Sequence, residues 1–152
     1  MQVGVEERKQ YQMKINHIGY LVKNFEEAKA EFEKLGYKPV SKDTHDTIRL
    51  VDICFMEQDN YVIELVSPYD QESVVAGLIK KYKNTPYHIC YETEDFDNDI
   101  DKLEHSGYVK MDEPLPAPAF GNRRVVFLFH SQIGMIELVD VFGGHYLTKS
   151  SC

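Results

Sequence analysis

Asn16-His17-Ile18-Gly19-Tyr20 and Tyr87-His88-Ile89-Cys90-Tyr91 are two versions of one phrase, His-Ile-x-Tyr. The residues after each copy repeat too. Phe25 and Phe96 open an acidic, helix-like run, Glu33 and Glu104 stand near its end, and Gly36-Tyr37 and Gly107-Tyr108 close it. Ile-Glu-Leu-Val then returns at Ile63 to Val66 and at Ile136 to Val139. Self-similarity in a fixed order marks two copies of one supersecondary unit.

Working outward from the first phrase, residues 14–22 form a strand with His17, Gly19 and Leu21 on one face and Ile18, Tyr20 and Val22 on the other. Asn24 is placed to cap the following helix, with Glu27 three residues on. Phe25, Ala28, Phe32 and Leu35 fall at helical spacing, and Gly36 stops the run. Residues 37–42, 47–56 and 61–66 read as three strands, with Asp59-Asn60 as a turn between the last two. In the second copy Asp95 or Asp97 caps a helix whose apolar positions are Phe96, Ile100 and Leu103. Residues 124–129 and 135–141 are its closing strands. Residues 112–121 hold Pro114, Pro116 and Pro118, so they form a stiff loop unfit for a central strand, placed either to cover a site or simply to connect. Between the copies Val74, Val75, Leu78, Ile79 and Tyr82 predict a linking helix, which ends before Pro86.

The expected fold is α+β: two tandem βαβββ units forming an eight-stranded, half-open curled sheet with helices outside. The units span 14–66 and 87–141 within one domain, 14–141, joined by a linker helix within 67–86. Residues 1–13 are an N-terminal extension and 142–152 a tail. The linker permits a site completed within one chain, or exchange of units across a homodimer.

Bulk properties exclude several classes. The chain of 152 residues carries a net charge of −8, which disfavours nucleic acid and anionic membrane surfaces as partners. It has no basic block longer than two residues, the length of Lys80-Lys81. No apolar run approaches the roughly 20 residues that span a bilayer, and the polar N-terminus has no secretory core. Cys54, Cys90 and Cys152 make an odd set without metal-type spacing, which suits a reducing, cytoplasmic setting.

The chemistry lies on the strands. Val62, Glu64 and Val66 share one face, as do Met135, Glu137 and Val139. If Ile63, Leu65, Ile136 and Leu138 pack under the helices, both glutamates point into the concave side. Buried carboxylates need compensation. With His17 and His88 nearby, a divalent metal ion compensates them best: His17, Glu64, His88 and Glu137 would hold zinc, nickel, cobalt, manganese or iron and leave room for a small-molecule substrate. The plainer alternative is two ordinary strand histidines and two solvent-facing glutamates. Cys90 shares the His88 face and reads as a buried inert thiol. Arg123 and Arg124 suit an anionic substrate tail or a solvated strand edge. His45, His105, His130 and His145 read as surface residues.

Paired units with His-Ile-Gly near the start of one and Ile-Glu-Leu-Val late in each resemble the vicinal oxygen chelate superfamily. That superfamily includes glyoxalase I, methylmalonyl-CoA epimerase, extradiol dioxygenases, fosfomycin-resistance enzymes and metal-free bleomycin-resistance proteins. The resemblance spans residues 14–141 and implies that the family's ligand positions fall on His17, Glu64, His88 and Glu137. This set is similar to that of bacterial-type glyoxalase I, whereas the epimerases tend to carry Gln at the place of Glu64. Departures cut both ways. Leu21 and Pro68 stand where glyoxalase I has Arg and Asn, Ser67-Pro68 is more like the epimerase, and Ile48, beside Asp46 and Asp52, stands where the epimerase has a second catalytic Glu.

Both activities abstract a proton next to a carbonyl polarised by the metal. The resemblance implies Glu137 as the base, with Glu64 reaching the substrate from the opposite side. The leading expectation is a glyoxalase I-like lyase acting on a 2-oxoaldehyde–thiol adduct through an enediolate. The alternatives are an epimerase of a 2-substituted acyl thioester and a non-catalytic ligand-binding or resistance-type module.

Overall fold

Asn24 accepts a hydrogen bond from the Glu27 backbone N–H (3.0 Å) and so starts the first helix, α1 (Phe25–Lys34). Gly36 and Gly107, with φ of 100° and 97°, turn the chain out of α1 and out of the matching helix α3 (Phe96–His105). At α3 Asp95 stands at the N-cap, as expected, but its side chain makes no capping bond to a backbone N–H. Thr93 Oγ1 accepts the Asp95 N–H (3.1 Å), while Asp95 Oδ2 accepts from the Asn98 side chain instead (3.0 Å).

The computed structural model describes residues 13–142. Around these helices run β1 (Lys14–Leu21), β2 (Lys38–Pro39), β3 (Thr44–Asp46), β4 (Val51–Gln58) and β5 (Tyr61–Pro68). Then come the linker helix α2 (Ala76–Tyr82), β6 (Thr85–Thr93), β7 (Val109–Lys110) and β8 (Leu115–Ala117). A 3-10 turn at Pro118–Phe120 leads into β9 (Arg123–His130) and β10 (Gly134–Asp140). The expected N-terminal extension and tail lie outside the described residues, apart from Met13 and Phe142.

The strands form one open mixed sheet in the order β2-β4-β5-β1-β6-β10-β9-β7, with β3 added on β4 and β8 on β9. It has ten strands, not eight, and the two additional ones are three-residue pieces. The strand expected over 47–56 starts late because Asp46 bends the chain. Its Oδ1 accepts the N–H of both Ile48 and Arg49 (2.9 Å each), and Leu50 takes a φ of 59°. Thr44–Asp46 is thereby cut off as β3. Pro116 is tolerated in β8 because that strand pairs only with β9.

The two units meet at the centre, where β1 and β6 pair antiparallel, while β5 and β10 flank them in parallel. Side-chain alternation sorts the core as the sequence requires. Ile63 and Leu65 pack with Cys54 and Met56 under Phe25, Ala28 and Phe32 of α1. Ile136 and Leu138 pack with Val126 and Leu128 under Phe96, Ile100 and Leu103 of α3. Each such large side chain contributes about 1.5–3 kcal/mol of burial. The opposite, concave face is lined by Leu21, Ile53, Phe55 and Val66, joined by Val75 ahead of α2. No helix among the described residues is long and apolar enough to cross a membrane.

Candidate metal centre

His17 stands on β1, Glu64 on β5, His88 on β6 and Glu137 on β10, four adjacent strands at the middle of the sheet. All four are buried, with exposures of 1–4%. One ligand atom from each lies within 4.8 Å of all the others. His17 Nε2 is 3.2 Å from His88 Nε2, 3.3 Å from Glu64 Oε1 and 3.4 Å from Glu137 Oε1. His88 Nε2 is 3.6 Å from Glu64 Oε1 and 3.2 Å from Glu137 Oε1. The four residues singled out in the sequence therefore converge, and they do so within a single chain.

The set fits a divalent cation. Two imidazole nitrogens and two carboxylate oxygens are borderline donors suited to zinc and its first-row neighbours. Metal bonds of about 2.05 Å would set tetrahedral ligand edges of roughly 3.3 Å, close to the five separations above. Among the described residues Glu137 Oε1 is buried with no hydrogen bond of good geometry, only the two imidazole Nε2 atoms that would share the ion with it.

Neighbouring residues hold the histidines in place. The β1–β6 pairing slips between Ile15 and His17, and this bulge turns Asn16 toward the His17 ring. His17 Nδ1–H donates to Asn16 Oδ1 (2.7 Å), and Asn16 Nδ2 donates to Glu92 Oε2 (3.0 Å). That chain fixes the tautomer with the Nε2 lone pair facing the centre. His88 is held differently: its Nδ1 has no hydrogen-bond partner among the described residues, and its ring lies over Gly19, where any Cβ would overlap it.

Burial by itself would lower the His17 pKa, but the charges of Glu64 and Glu137 outweigh it and raise it to about 9. Burial would raise Glu137, yet His88 and His17 hold it below the usual carboxylate range. Burial, then Glu137 and Glu64, push the Cys90 thiol well above its ordinary value, as expected for an inert neighbour.

Aromatic rings wall the centre. Phe55 meets the His17 ring edge-on (centroids 5.3 Å apart), Phe127 meets His88 edge-on (5.1 Å), and Phe120 stacks on His17 (5.6 Å). Phe120 belongs to the proline-rich segment, so that segment does cover the site. A cavity of about 40 Å³ lies beneath it, bordered by Glu64, Glu137, Tyr87, Arg49, Phe120 and Phe127.

The remaining candidates fall elsewhere. Arg124 binds Asp97 (3.2 Å) and Asp140 (2.9 Å) and lies over the Phe96 ring, on the helix side of the sheet. Arg123 is half-buried and does not border the cavity. His45 stacks on Tyr69 and pairs with Asp52 (2.7 Å), and His105 is exposed at the end of α3. His130 is half-buried against Tyr108 rather than at the surface, and His145 lies outside the described residues. Ile48 is exposed (53%), and the adjacent Asp46 carboxylate is engaged by two backbone N–H groups and by Arg49 (3.1 Å). Asn16, Gly19 and Arg49 are not among the site residues expected from the sequence, and Phe120 is expected there only as part of the segment 112–121. Asn16 and Gly19 carry a signal in hindsight: they are places where the repeated phrase differs between copies.

Comparison with known proteins gives a consistent picture. The model of the Glyoxalase/Bleomycin resistance protein/Dioxygenase superfamily matches residues 16–127. The ethylmalonyl-CoA/methylmalonyl-CoA epimerase of Cereibacter sphaeroides is 28% identical over 131 residues, which is 84% of this chain and 98% of that protein. Among solved structures, a hypothetical protein from Bacillus halodurans C-125 superposes with a TM-score of 0.76 at 23% identity, covering 86% of this chain and 95% of that one. Methylmalonyl-CoA epimerase from Mycobacterium tuberculosis superposes with a TM-score of 0.71 at 21% identity, covering 84% and 87%.

Proposed function

Because the chain belongs to the glyoxalase/bleomycin resistance protein/dioxygenase superfamily, we propose that it is a metal-dependent epimerase of a 2-carboxy acyl thioester of the methylmalonyl-CoA kind. The order of the sequence expectations is thereby reversed. The relatives with named activities are epimerases, and the lyase reading rests on the ligand set alone. Leu21, fully buried in the apolar cluster, stands where a glutathione-binding arginine would be needed.

The observation that carries the reading is the pair Glu64 and Glu137. They are two buried carboxylates at repeat-related positions, both bordering one cavity. Epimerisation removes a proton from one side of a carbon and returns one to the other, so it needs an acid–base group on each side. Ile48 cannot serve, and the Asp46 carboxylate is committed to Arg49. Glu137 takes the proton and Glu64 faces it from the other unit. A divalent cation held by His17, Glu64, His88 and Glu137 would supply Lewis acidity toward the substrate's carbonyl oxygens. Asn16 and Glu92 orient His17, and Phe55, Phe120 and Phe127 keep the surroundings apolar, which strengthens every charge interaction inside. A cytoplasmic setting accords with the buried free thiols Cys54 and Cys90.

The test is exchange at C2. One epimer of methylmalonyl-CoA in D2O, with protein restored by each divalent metal in turn, should gain deuterium and lose its handedness. Absence of exchange with every metal sinks the epimerase reading, and turnover of a methylglyoxal–thiol adduct would reinstate the lyase. A protein that retains no metal and turns over neither would be a binding module. In an active preparation Glu137→Gln should abolish epimerisation while metal remains bound; retained epimerisation would remove Glu137 as the base.

A further inference from the structure

A second cavity, about 460 Å³, opens where β1 and β5 end beneath α2, away from the metal centre. Its rim carries Lys23, Lys80 and Lys83, and its floor is apolar, with Pro68, Ala76 and Ile79. Asp70 is the acidic residue bordering it. Three lysines against one aspartate reverse the sign of a protein whose net charge is −8.

The rim is held in place. The Lys23 N–H donates to Asn84 Oδ1 (2.7 Å), and Ser67 Oγ donates to the Lys23 carbonyl (3.3 Å), so Lys23 is fastened both to the end of β5 and to the turn after α2. Lys83 sits at that turn with a φ of 64°, a conformation rare for a side chain-bearing residue. The groove also faces the right way. Pro68 lies four positions past Glu64 on the same side of β5, a distance of about 13 Å along a strand. Ile79 belongs both to the groove floor and to the apolar cluster with Leu21, Val66 and Tyr87 beside the centre.

We propose that this groove receives the phosphate-bearing nucleotide end of the thioester substrate, with the lysines on its phosphates and the apolar floor under its flexible arm. This rests on the acyl thioester reading above. A thioester held at the centre carries its reacting carbon at one end of a long arm and a diphosphate and a 3′-phosphate at the other. The groove lies along the strand face that leads away from Glu64. Lysine binds phosphate as a point charge and tolerates variation in pose, which suits a solvent-facing site.

Calorimetric titration of the full, metal-restored chain tests this with four separate probes: CoA, adenosine 3′,5′-bisphosphate, pantetheine and inorganic phosphate. The expected result is binding of CoA and the bisphosphate, weakened about tenfold by Lys23→Ala with Lys80→Ala and weakened by added salt, with pantetheine indifferent to both. Both lysines are exposed, so folding is not at stake. Unchanged CoA affinity in the double variant, no CoA binding by the parent, or inorganic phosphate bound as tightly as the bisphosphate would each overturn the groove. The two readings fail separately. Exchange at C2 of a methylmalonyl-pantetheine thioester, which has no phosphate, tests the chemistry alone, and lysine-dependent binding of the bisphosphate tests the groove alone.

Discussion

Gly19 has no side chain because the His88 ring occupies the space one would need. The residue opposite a ligand is thus as constrained as the ligand itself. Gly19→Ala forces His88 off the centre while leaving the apolar layers under α1 and α3 untouched. Metal affinity should fall more than tenfold with the circular dichroism spectrum retained, and full metal content would contradict the packing argument. Asn16 makes the complementary case on the other histidine. Asn16→Ala removes the acceptor for His17 Nδ1–H and breaks the chain to Glu92. Loss of such an orienting partner costs about 10–100-fold in metal affinity. Asn16→Asp keeps an acceptor beside His17 and should recover most of that loss, an outcome that a merely bulky role for Asn16 would not produce.

At the scale of elements, Arg49 ties together parts distant in sequence. Its guanidinium binds Asp46 (3.1 Å) at the end of β3 and also donates to the carbonyls of Pro116 (3.0 Å) and Leu115 (3.4 Å) in β8. The 3-10 turn carrying Phe120 comes directly after, so Arg49 fastens the cover of the metal centre to the first unit. Arg49→Ala leaves Asp46, 1% exposed, without its cation and should destabilise the protein by about 3 kcal/mol, read as a lowered urea midpoint at unchanged slope. This arrangement also explains what the sequence could and could not disclose. The repeat spoke for periodicity, so the helices, the long strands, the concave placement of Glu64 and Glu137 and the meeting of His17 with His88 were all legible. Residues 44–51 were not, because the Asp46 carboxylate rather than an alternation of side chains decides where β3 ends. The role of the proline-rich segment was not legible either. Pro116 and Pro118 mark a stiff chain, but only the hold of Arg49 and the stacking of Phe120 on His17 say where it lies.

For the whole molecule, the centre is the point at which two half-sheets are pinned to each other. His17 and Glu64 come from the first unit and His88 and Glu137 from the second, so a bound cation cross-links them in addition to the β1–β6 pairing. Binding to the folded state alone stabilises by mass action, about 4 kcal/mol when free metal is a thousandfold above its Kd. The pH dependence originates in His17. In the metal-free protein its pKa stands at about 9 against an ordinary 6.5, because Glu64 and Glu137 overcome the burial that would lower it. A raised folded pKa contributes stability that is fully present below about 6.5 and is lost as pH climbs through about 9. The metal-free protein should therefore lose stability across that interval. The metal-loaded protein has already given up the proton, so it gains nothing from low pH and binds metal more tightly as pH rises toward 9. Thermal unfolding with and without a chelator should show a gap in Tm that widens from pH 6.5 to 9, and metal binding near neutral pH should release about one proton, seen as a buffer-dependent heat. A gap that stays constant, or binding without proton release, would mean that His17 is neutral in the metal-free protein and that Glu64 and Glu137 are not held as a charged pair against it.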